Sequence, residues 1–139
     1  MRIGTILILC LVFIISSCEL SDDGLQVTYE AVSIDSVQLP QTFTFGERYD
    51  IPVFYKRPTS CHVFEGFNVE ASLNERTIAS VLARFNAGEC IEENVVEEQY
   101  LRFTAASNGT YVFKFLTNQD VNGDGTGPDY LEYEIQVIE

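Results

Sequence analysis

The feature that most constrains the fold is a two-residue alternation of apolar and polar side chains, repeated in short segments along residues 26–139. It is clearest from Tyr130 to Glu139, where every second side chain from Leu131 to Val137 is apolar. A period of two places alternate side chains on opposite faces of an extended chain, so each segment predicts a half-buried β-strand. Because such segments recur roughly every ten residues, the pattern predicts an all-β sandwich or barrel.

Six further segments rich in β-branched or aromatic residues are predicted strands: 26–34, 41–45, 50–56, 63–73, 97–104 and 111–116. Breaks are predicted at Pro40, Gly46, Arg57-Pro58 and 105–109. Pro52 is expected at a sheet edge or bulge, because proline cannot donate a ladder hydrogen bond. Thr77 to Phe85 fits both helical and strand spacing. Its strand-rich surroundings and short length favour a strand.

The N-terminus carries an export signal. Arg2 precedes an uncharged apolar run from Ile6 to Ile15. That run is about half of the roughly 20 apolar residues that a helix needs to cross a bilayer. The pattern therefore predicts a cleaved signal peptide rather than a membrane span.

Ile15-Ser16-Ser17-Cys18 resembles the bacterial lipobox. The resemblance implies that residues 1–17 are removed and that Cys18 is lipidated, which makes the membrane the expected partner through that residue. One acyl chain binds a membrane only reversibly, whereas two or three on one residue form a stable anchor. The alternative is an ordinary thiol behind an ordinary cleavage site.

Ser21-Asp22-Asp23 resembles the export signal that sends Bacteroidota lipoproteins to the surface of the outer membrane. Residues 18–25 are expected to form an acidic tether, and the alternative is that Ser21-Asp22-Asp23 is only part of this solvated linker. The chain also resembles small Bacteroidota lipoproteins at Tyr55–Pro58 and Cys61–Phe67. This resemblance implies a lipid-anchored, surface-exposed outer-membrane location, and it carries no activity.

The mature chain would have 122 residues, which is enough for one domain over residues 26–139. It has 7 basic and 21 acidic residues and a net charge of −14, which excludes nucleic acid as a partner. Hydrophobic residues make up 46% of the sequence, including 10 Phe and 7 Tyr, so we expect a packed domain rather than disorder.

Two cysteines remain after Cys10 leaves with the signal and Cys18 takes lipid. In an exported chain, Cys61 and Cys90 are expected to form a disulfide. A bridge across about 30 residues stabilises a fold by roughly 3 to 4 kcal/mol in the chain-entropy model. A metal-binding or reactive pair is the alternative, although the spacing is not CxxC.

Residues Ser107 to Phe113 resemble the tyrosine corner of immunoglobulin-like sandwiches, with Tyr111 two residues before Phe113. The resemblance implies an immunoglobulin-like antiparallel β-sandwich of about seven strands. Phe113 stands where antibody domains place a cysteine. The disulfide must therefore join other strands, and the antibody topology does not transfer directly.

Asp120-Val121-Asn122-Gly123-Asp124-Gly125 resembles a calcium loop. Asp120, Asn122 and Asp124 supply oxygens at positions 1, 3 and 5. Position 12 is Leu131, so Asp129 or Glu132 would have to act as a displaced carboxylate ligand. The alternative, which the flanking strands favour, is a hairpin turn whose Asn-Gly and Asp-Gly pairs tolerate positive φ.

No local constellation predicts catalysis. His62, the one histidine, is expected to be structural, and Glu92-Glu93 and Glu97-Glu98 are expected to lie on solvated faces. Asp35-Ser36-Val37 resembles a Bacteroidota O-glycosylation site, although an ordinary turn is favoured.

We therefore predict a non-enzymatic, lipid-anchored surface module that binds a protein or a glycan, or that accompanies a larger envelope complex. One alternative is a calcium-dependent adhesion or stability module that uses the loop from Asp120 to Asp129. Another is a small hydrolase whose carboxylates meet only in the fold. The sequence does not predict an oligomeric state.

Overall fold

The protein is described by a computed structural model that covers residues 24–86, 88–119 and 127–139. These residues form nine strands and no helix: β1 Val27–Val32, β2 Ile34–Val37, β3 Thr42–Thr44, β4 Arg48–Thr59, β5 His62–Ser72, β6 Glu75–Phe85, β7 Glu92–Thr104, β8 Thr110–Asn118 and β9 Asp129–Ile138. Within those ranges, no helix has the length and apolar character needed to cross a membrane.

The strands form two sheets, as the alternation predicts. The three-stranded sheet has the order β2-β4-β7, and the six-stranded sheet runs β1-β6-β8-β9-β3 with β5 on the other side of β6. One edge of β6 is shared, because its last six residues pair with β1 and its first four pair with β8. The architecture is compatible with a β-sandwich.

Four expectations about the number, direction and extent of the strands were wrong. The described residues hold nine strands rather than about seven, and the pairs β6–β8 and β3–β9 are parallel rather than antiparallel. Arg57-Pro58 does not break the chain, because β4 continues to Thr59 with a bulge. Asp35-Ser36-Val37 lies in β2 rather than in a turn.

One local prediction is confirmed, because Thr77 to Phe85 belongs to strand β6, in agreement with the favoured alternative. The expectation that Pro52 lies at a sheet edge or a bulge was wrong. Pro52 lies in the central strand β4 with no bulge, one residue beyond the last residue that pairs with β2. Its carbonyl accepts a hydrogen bond from the Gln38 N–H at 3.0 Å. The proline therefore occupies a position where its missing N–H breaks no ladder bond.

An aromatic cluster joins the two sheets. Phe103 of β7 contacts Phe43 of β3 and Tyr111 and Phe113 of β8, with ring centroids 4.9, 4.9 and 5.0 Å away. All four side chains are buried. Aromatic pairs of this kind contribute about 0.5–1.5 kcal/mol beyond the area they bury. The chain has no tryptophan, so phenylalanine and tyrosine fill the centre of the core.

The buried hydroxyl of Tyr111 has hydrogen-bond partners in the loop that precedes β8. The Tyr111 hydroxyl accepts a hydrogen bond from the Ser107 N–H at 3.1 Å and lies 2.7 Å from Ser107 Oγ. This contact ties the loop between β7 and β8 to the strand that follows it. A buried phenol needs such a partner, because an unpaired hydroxyl in the core destabilises the fold.

The predicted disulfide is also present, between Cys61 and Cys90, with Cα atoms 5.4 Å apart. It joins the turn between β4 and β5 to the segment that precedes β7. Two hydrogen bonds between Ser60 and Ile91 flank it. The disulfide therefore fastens one end of the sandwich, which we call the disulfide end.

One buried hydroxyl lacks a partner and generates a stability prediction. Ser80 is fully buried in β6, and its Oγ makes no hydrogen bond. Ser80→Ala removes that unpaired group, whose burial costs about 1–3 kcal/mol. We expect the free energy of unfolding in urea to rise by about 1 kcal/mol. Ser72→Ala at an exposed site is the control, and an equal or lower stability for Ser80→Ala would contradict the prediction.

Candidate functional site

The first candidate site is a polar network at the disulfide end, centred on Arg57 of β4. Its guanidinium donates from Nε to Glu97 Oε1 at 2.7 Å and lies 2.5 Å from Glu93 Oε2 through Nη1. Nη1 also donates to the carbonyl of Thr59 at 3.1 Å. Both carboxylates come from β7, so this network ties β7 to the end of β4.

Glu97 also accepts a hydrogen bond from the hydroxyl of Tyr55 at 2.7 Å. That bond, together with the contact to Arg57, holds the pKa of Glu97 below its usual range despite partial burial. Burial, reinforced by the Glu97 carboxylate, raises the pKa of Tyr55. The hydrogen bond to Glu97 raises the pKa of Arg57. Glu97 is therefore a charged carboxylate with its partners in place.

His62 extends the network through both ring nitrogens. Nδ1 lies 2.8 Å from Thr59 Oγ1, and Nε2 contacts the carboxylate of Glu30 on β1. Carboxylate, imidazole and hydroxyl in this order resemble a nucleophilic triad. However, Thr59 Oγ1 also accepts the Cys61 N–H at 3.2 Å, which holds the hydroxyl in the local turn. The imidazole is buried, and it joins β1, β4 and β5.

A shallow depression of about 480 Å³ lies beside this network, lined by Tyr55, Arg57, His62, Phe64, Glu97 and Gln99. The hydrolase hypothesis requires carboxylates that converge in a cleft. Glu93 and Glu97 converge on Arg57, but only Glu97 lines the depression. Both are bound to Arg57, and each ring nitrogen of His62 has a partner. The arrangement is therefore better suited to holding strands together than to acting on a substrate.

The expectation that Glu97 lies on a solvated face was wrong, because its carboxylate is partly buried against Tyr55 and Arg57, whereas Glu93 is exposed as expected. A sequence signal for the position of Glu97 existed. Glu97 lies an even number of residues from Leu101 and Phe103, so its side chain is on the face of β7 that points to the core. Arg57 is likewise on the same face of β4 as the buried Tyr55. A carboxylate on an inward face needs a cation or a hydrogen-bond donor beside it, and the guanidinium supplies both.

The predicted calcium loop lies mostly outside the described residues, since Asp120, Asn122 and Asp124 fall in 120–126. Asp129 begins β9, and its carboxylate accepts a hydrogen bond from Asn118 at 3.4 Å. No group of three or more metal-ligating side chains converges among the residues that the structure covers. Cys18 also lies outside those residues.

The second candidate site is the hairpin tip between β5 and β6, formed by Leu73 and Asn74. The Leu73 side chain is 95% exposed, and its backbone has a φ of +53°. This left-handed conformation costs about 1–2 kcal/mol for a residue with a side chain, so glycine or asparagine is usual there. Leucine at this position gives the fold no buried contact in exchange.

The hairpin tip is braced on both sides of Leu73. Asn74 donates from Nδ2 to the carbonyl of Asn108 at 3.0 Å and accepts the hydroxyl of Ser107 at 2.8 Å. Arg76 donates to the carbonyl of Leu73 at 2.7 Å, and its guanidinium lies 5.2 Å from the centre of the Tyr111 ring. The exposed leucine is therefore held in one place by the hydrogen bonds of Asn74 and Arg76.

No protein-family model, curated protein or solved structure matches the chain.

The Arg57 network generates a pH-dependence prediction. We expect Glu97→Gln to lower the free energy of unfolding at pH 7 by about 1 kcal/mol, since it removes a charged partner of Tyr55 and Arg57. The pKa of Glu97 is lowered in the folded protein. Its contribution is therefore complete above the unfolded value of about 4.3 and disappears as the pH falls through the folded pKa.

Urea unfolding at a series of pH values between 2 and 7 measures this effect. The difference between wild type and Glu97→Gln should shrink towards zero as the pH falls. Glu92→Gln, an exposed residue of the same strand, is the matched control and should change stability little. A difference that stayed constant with pH would show that the charge of Glu97 does not stabilise the fold.

Proposed function

We propose that the mature chain is a lipid-anchored, non-enzymatic surface module that binds a protein partner through the Leu73 hairpin tip. The observation that carries this proposal is the almost complete exposure of Leu73 in a left-handed conformation. Such a residue costs stability in the isolated domain, so its advantage must lie outside the domain. Strained, exposed positions of this kind concentrate at functional sites.

The chemistry of the hairpin tip favours a protein over a glycan. An isolated aliphatic side chain offers apolar area for a pocket, whereas a sugar is better recognised by aromatic rings and polar groups. Asn74 and Arg76 fix the tip before any partner arrives. A preformed contact residue loses little conformational entropy on binding, so more of its burial appears as affinity.

The position of the hairpin tip suits an anchored protein. Val27, at the start of β1, pairs with Phe85 at the end of β6, whereas the tip immediately precedes the start of β6. The described chain therefore begins at the disulfide end, and Leu73 lies at the opposite end. A lipid anchor at Cys18 would leave the tip pointing away from the membrane.

We further propose that the sandwich is immunoglobulin-like and that the protein is a Bacteroidota outer-membrane lipoprotein. The tyrosine corner at Tyr111 supports the first statement, and the parallel pairs β6–β8 and β3–β9 depart from a purely antiparallel sandwich. The lipobox and Ser21-Asp22-Asp23 support the second.

Replacing Leu73 tests the proposed contact. Leu73→Asn should keep or raise the free energy of unfolding, by up to about 1 kcal/mol, because asparagine tolerates the left-handed backbone better. In anchored full-length protein on intact cells, a photo-reactive amino acid in place of Leu73 should form a specific adduct. Denaturing gels and mass spectrometry detect that adduct.

The matched control places the same photo-reactive amino acid at Glu134, an exposed residue of β9. An adduct at position 73 that is absent at position 134 supports the binding site. Equal adducts at both positions, or none at position 73, would count against it. A large loss of stability in Leu73→Asn would instead show that the leucine serves the fold.

The anchor is tested separately. Cys18→Ala removes the sulfur that the lipobox resemblance identifies as the acylated atom. We expect the variant to appear in the soluble fraction after cell disruption, whereas wild type stays with the membranes. Fractionation followed by immunoblotting measures this. Retention of Cys18→Ala in the membrane fraction would contradict lipid anchoring at this residue.

A further inference from the structure

Strand β7 is a long sheet edge with no neighbour on one side among the described residues. It spans 13 residues, pairs with β4, and ends the three-stranded sheet. An unpaired edge of this length presents a row of free N–H and C=O groups to other chains. Natural proteins usually cover or interrupt such an edge.

The hydrogen bonds of β4 show which backbone groups of β7 are free. The Pro52 carbonyl and the Lys56 N–H both bond to the β2 side of the sheet. Pro52 lies opposite Tyr100 in the register of β4 and β7. Because N–H and C=O directions alternate along a strand, Tyr100 and the even-numbered residues on either side of it point to the free edge.

These same residues place their side chains on the outer face of the three-stranded sheet. The sequence there reads Glu98, Tyr100, Arg102 at every second position, and all three side chains are exposed. Tyr100 is 59% exposed, although it is a large aromatic residue. A negative and a positive charge therefore stand at equal distances on either side of an exposed ring.

We infer that β7 pairs antiparallel with β7 of a second copy of this chain, about a twofold axis at Tyr100. This register places Glu98 of each copy opposite Arg102 of the other, and the two Tyr100 rings side by side. The free N–H and C=O groups of the three residues would form six backbone hydrogen bonds across the axis. The two three-stranded sheets then become one six-stranded sheet.

Charge complementarity favours this register and this occupant. Moving the axis by two residues in either direction places Glu98 against itself or Arg102 against itself, and like charges directly opposite one another destabilise a strand pair. The chain as a whole is strongly acidic, so two copies repel each other except where positive and negative side chains balance locally. The Glu98–Arg102 surface is such a place. Repulsion between the rest of the two domains is screened beyond about 8 Å at physiological ionic strength.

Charge reversal tests the proposed β7 pairing. The experiment uses full-length processed protein in detergent. Glu98→Arg and Arg102→Glu should each weaken self-association, measured by sedimentation equilibrium, by roughly tenfold or more. Mixed together, the two single variants should associate with each other, because each supplies the charges that the other lacks. The double variant Glu98→Arg with Arg102→Glu should again associate with itself.

Matched controls change the net charge by the same amount away from the edge. Arg48→Glu changes a residue on the outer face of the central strand β4, and Glu134→Arg changes a residue on β9. Both should leave self-association within about twofold of wild type. A monomeric wild type, or single variants that associate like wild type or fail to associate when mixed, would overturn the proposal.

A cysteine trap tests the register. In a hydrogen-bonded antiparallel pair the facing Cα atoms are about 5.5 Å apart, which is within the range that a disulfide spans. Tyr100→Cys should therefore form a covalent dimer under mild oxidation, visible on a non-reducing gel, whereas Arg48→Cys should not. Absence of a dimer from Tyr100→Cys, or equal yields from both variants, would rule out this register.

Discussion

The contact of Phe103 with the rings of the opposite sheet is the constraint on which the structure depends. Phe103 is the member of the aromatic cluster contributed by the three-stranded sheet, and it contacts Phe43, Tyr111 and Phe113 of the six-stranded sheet. These contacts fix how β7 lies over β3 and β8. The orientation of β7 in turn decides that Glu97 faces Arg57 and that Tyr100 faces outward.

The sequence predicted the strands well where alternation was strict and poorly where tertiary pairing decided the outcome. Residues 130–139 and 111–116 alternate cleanly and are strands, and the disulfide between Cys61 and Cys90 is present. Arg57-Pro58 continues β4, because β2 begins at Ile34, opposite Tyr55. Pro58 therefore lies beyond the residues that pair with β2, and a bulge accommodates it. Nothing local in the chain signals the parallel pairing of β6 with β8.

The two candidate sites differ in how far the sequence could identify them. The Arg57 network was predictable from the two-residue alternation. Arg57 and Glu97 fall on the core-facing sides of β4 and β7, where charged side chains need partners. The hairpin tip was not, because Leu73 appears in the sequence as the last residue of an alternating strand. Its left-handed backbone results from the tight turn and from the bonds of Asn74 and Arg76 to neighbouring loops and carbonyls.

The start of the described chain at the disulfide end has a consequence for the geometry of a β7 pair. A twofold axis through antiparallel strands turns one copy upside down relative to the other. The two disulfide ends then lie at opposite ends of the pair. With the lipid anchor that we propose, two copies held upright in one membrane do not meet in this way, whereas copies on two facing membranes do.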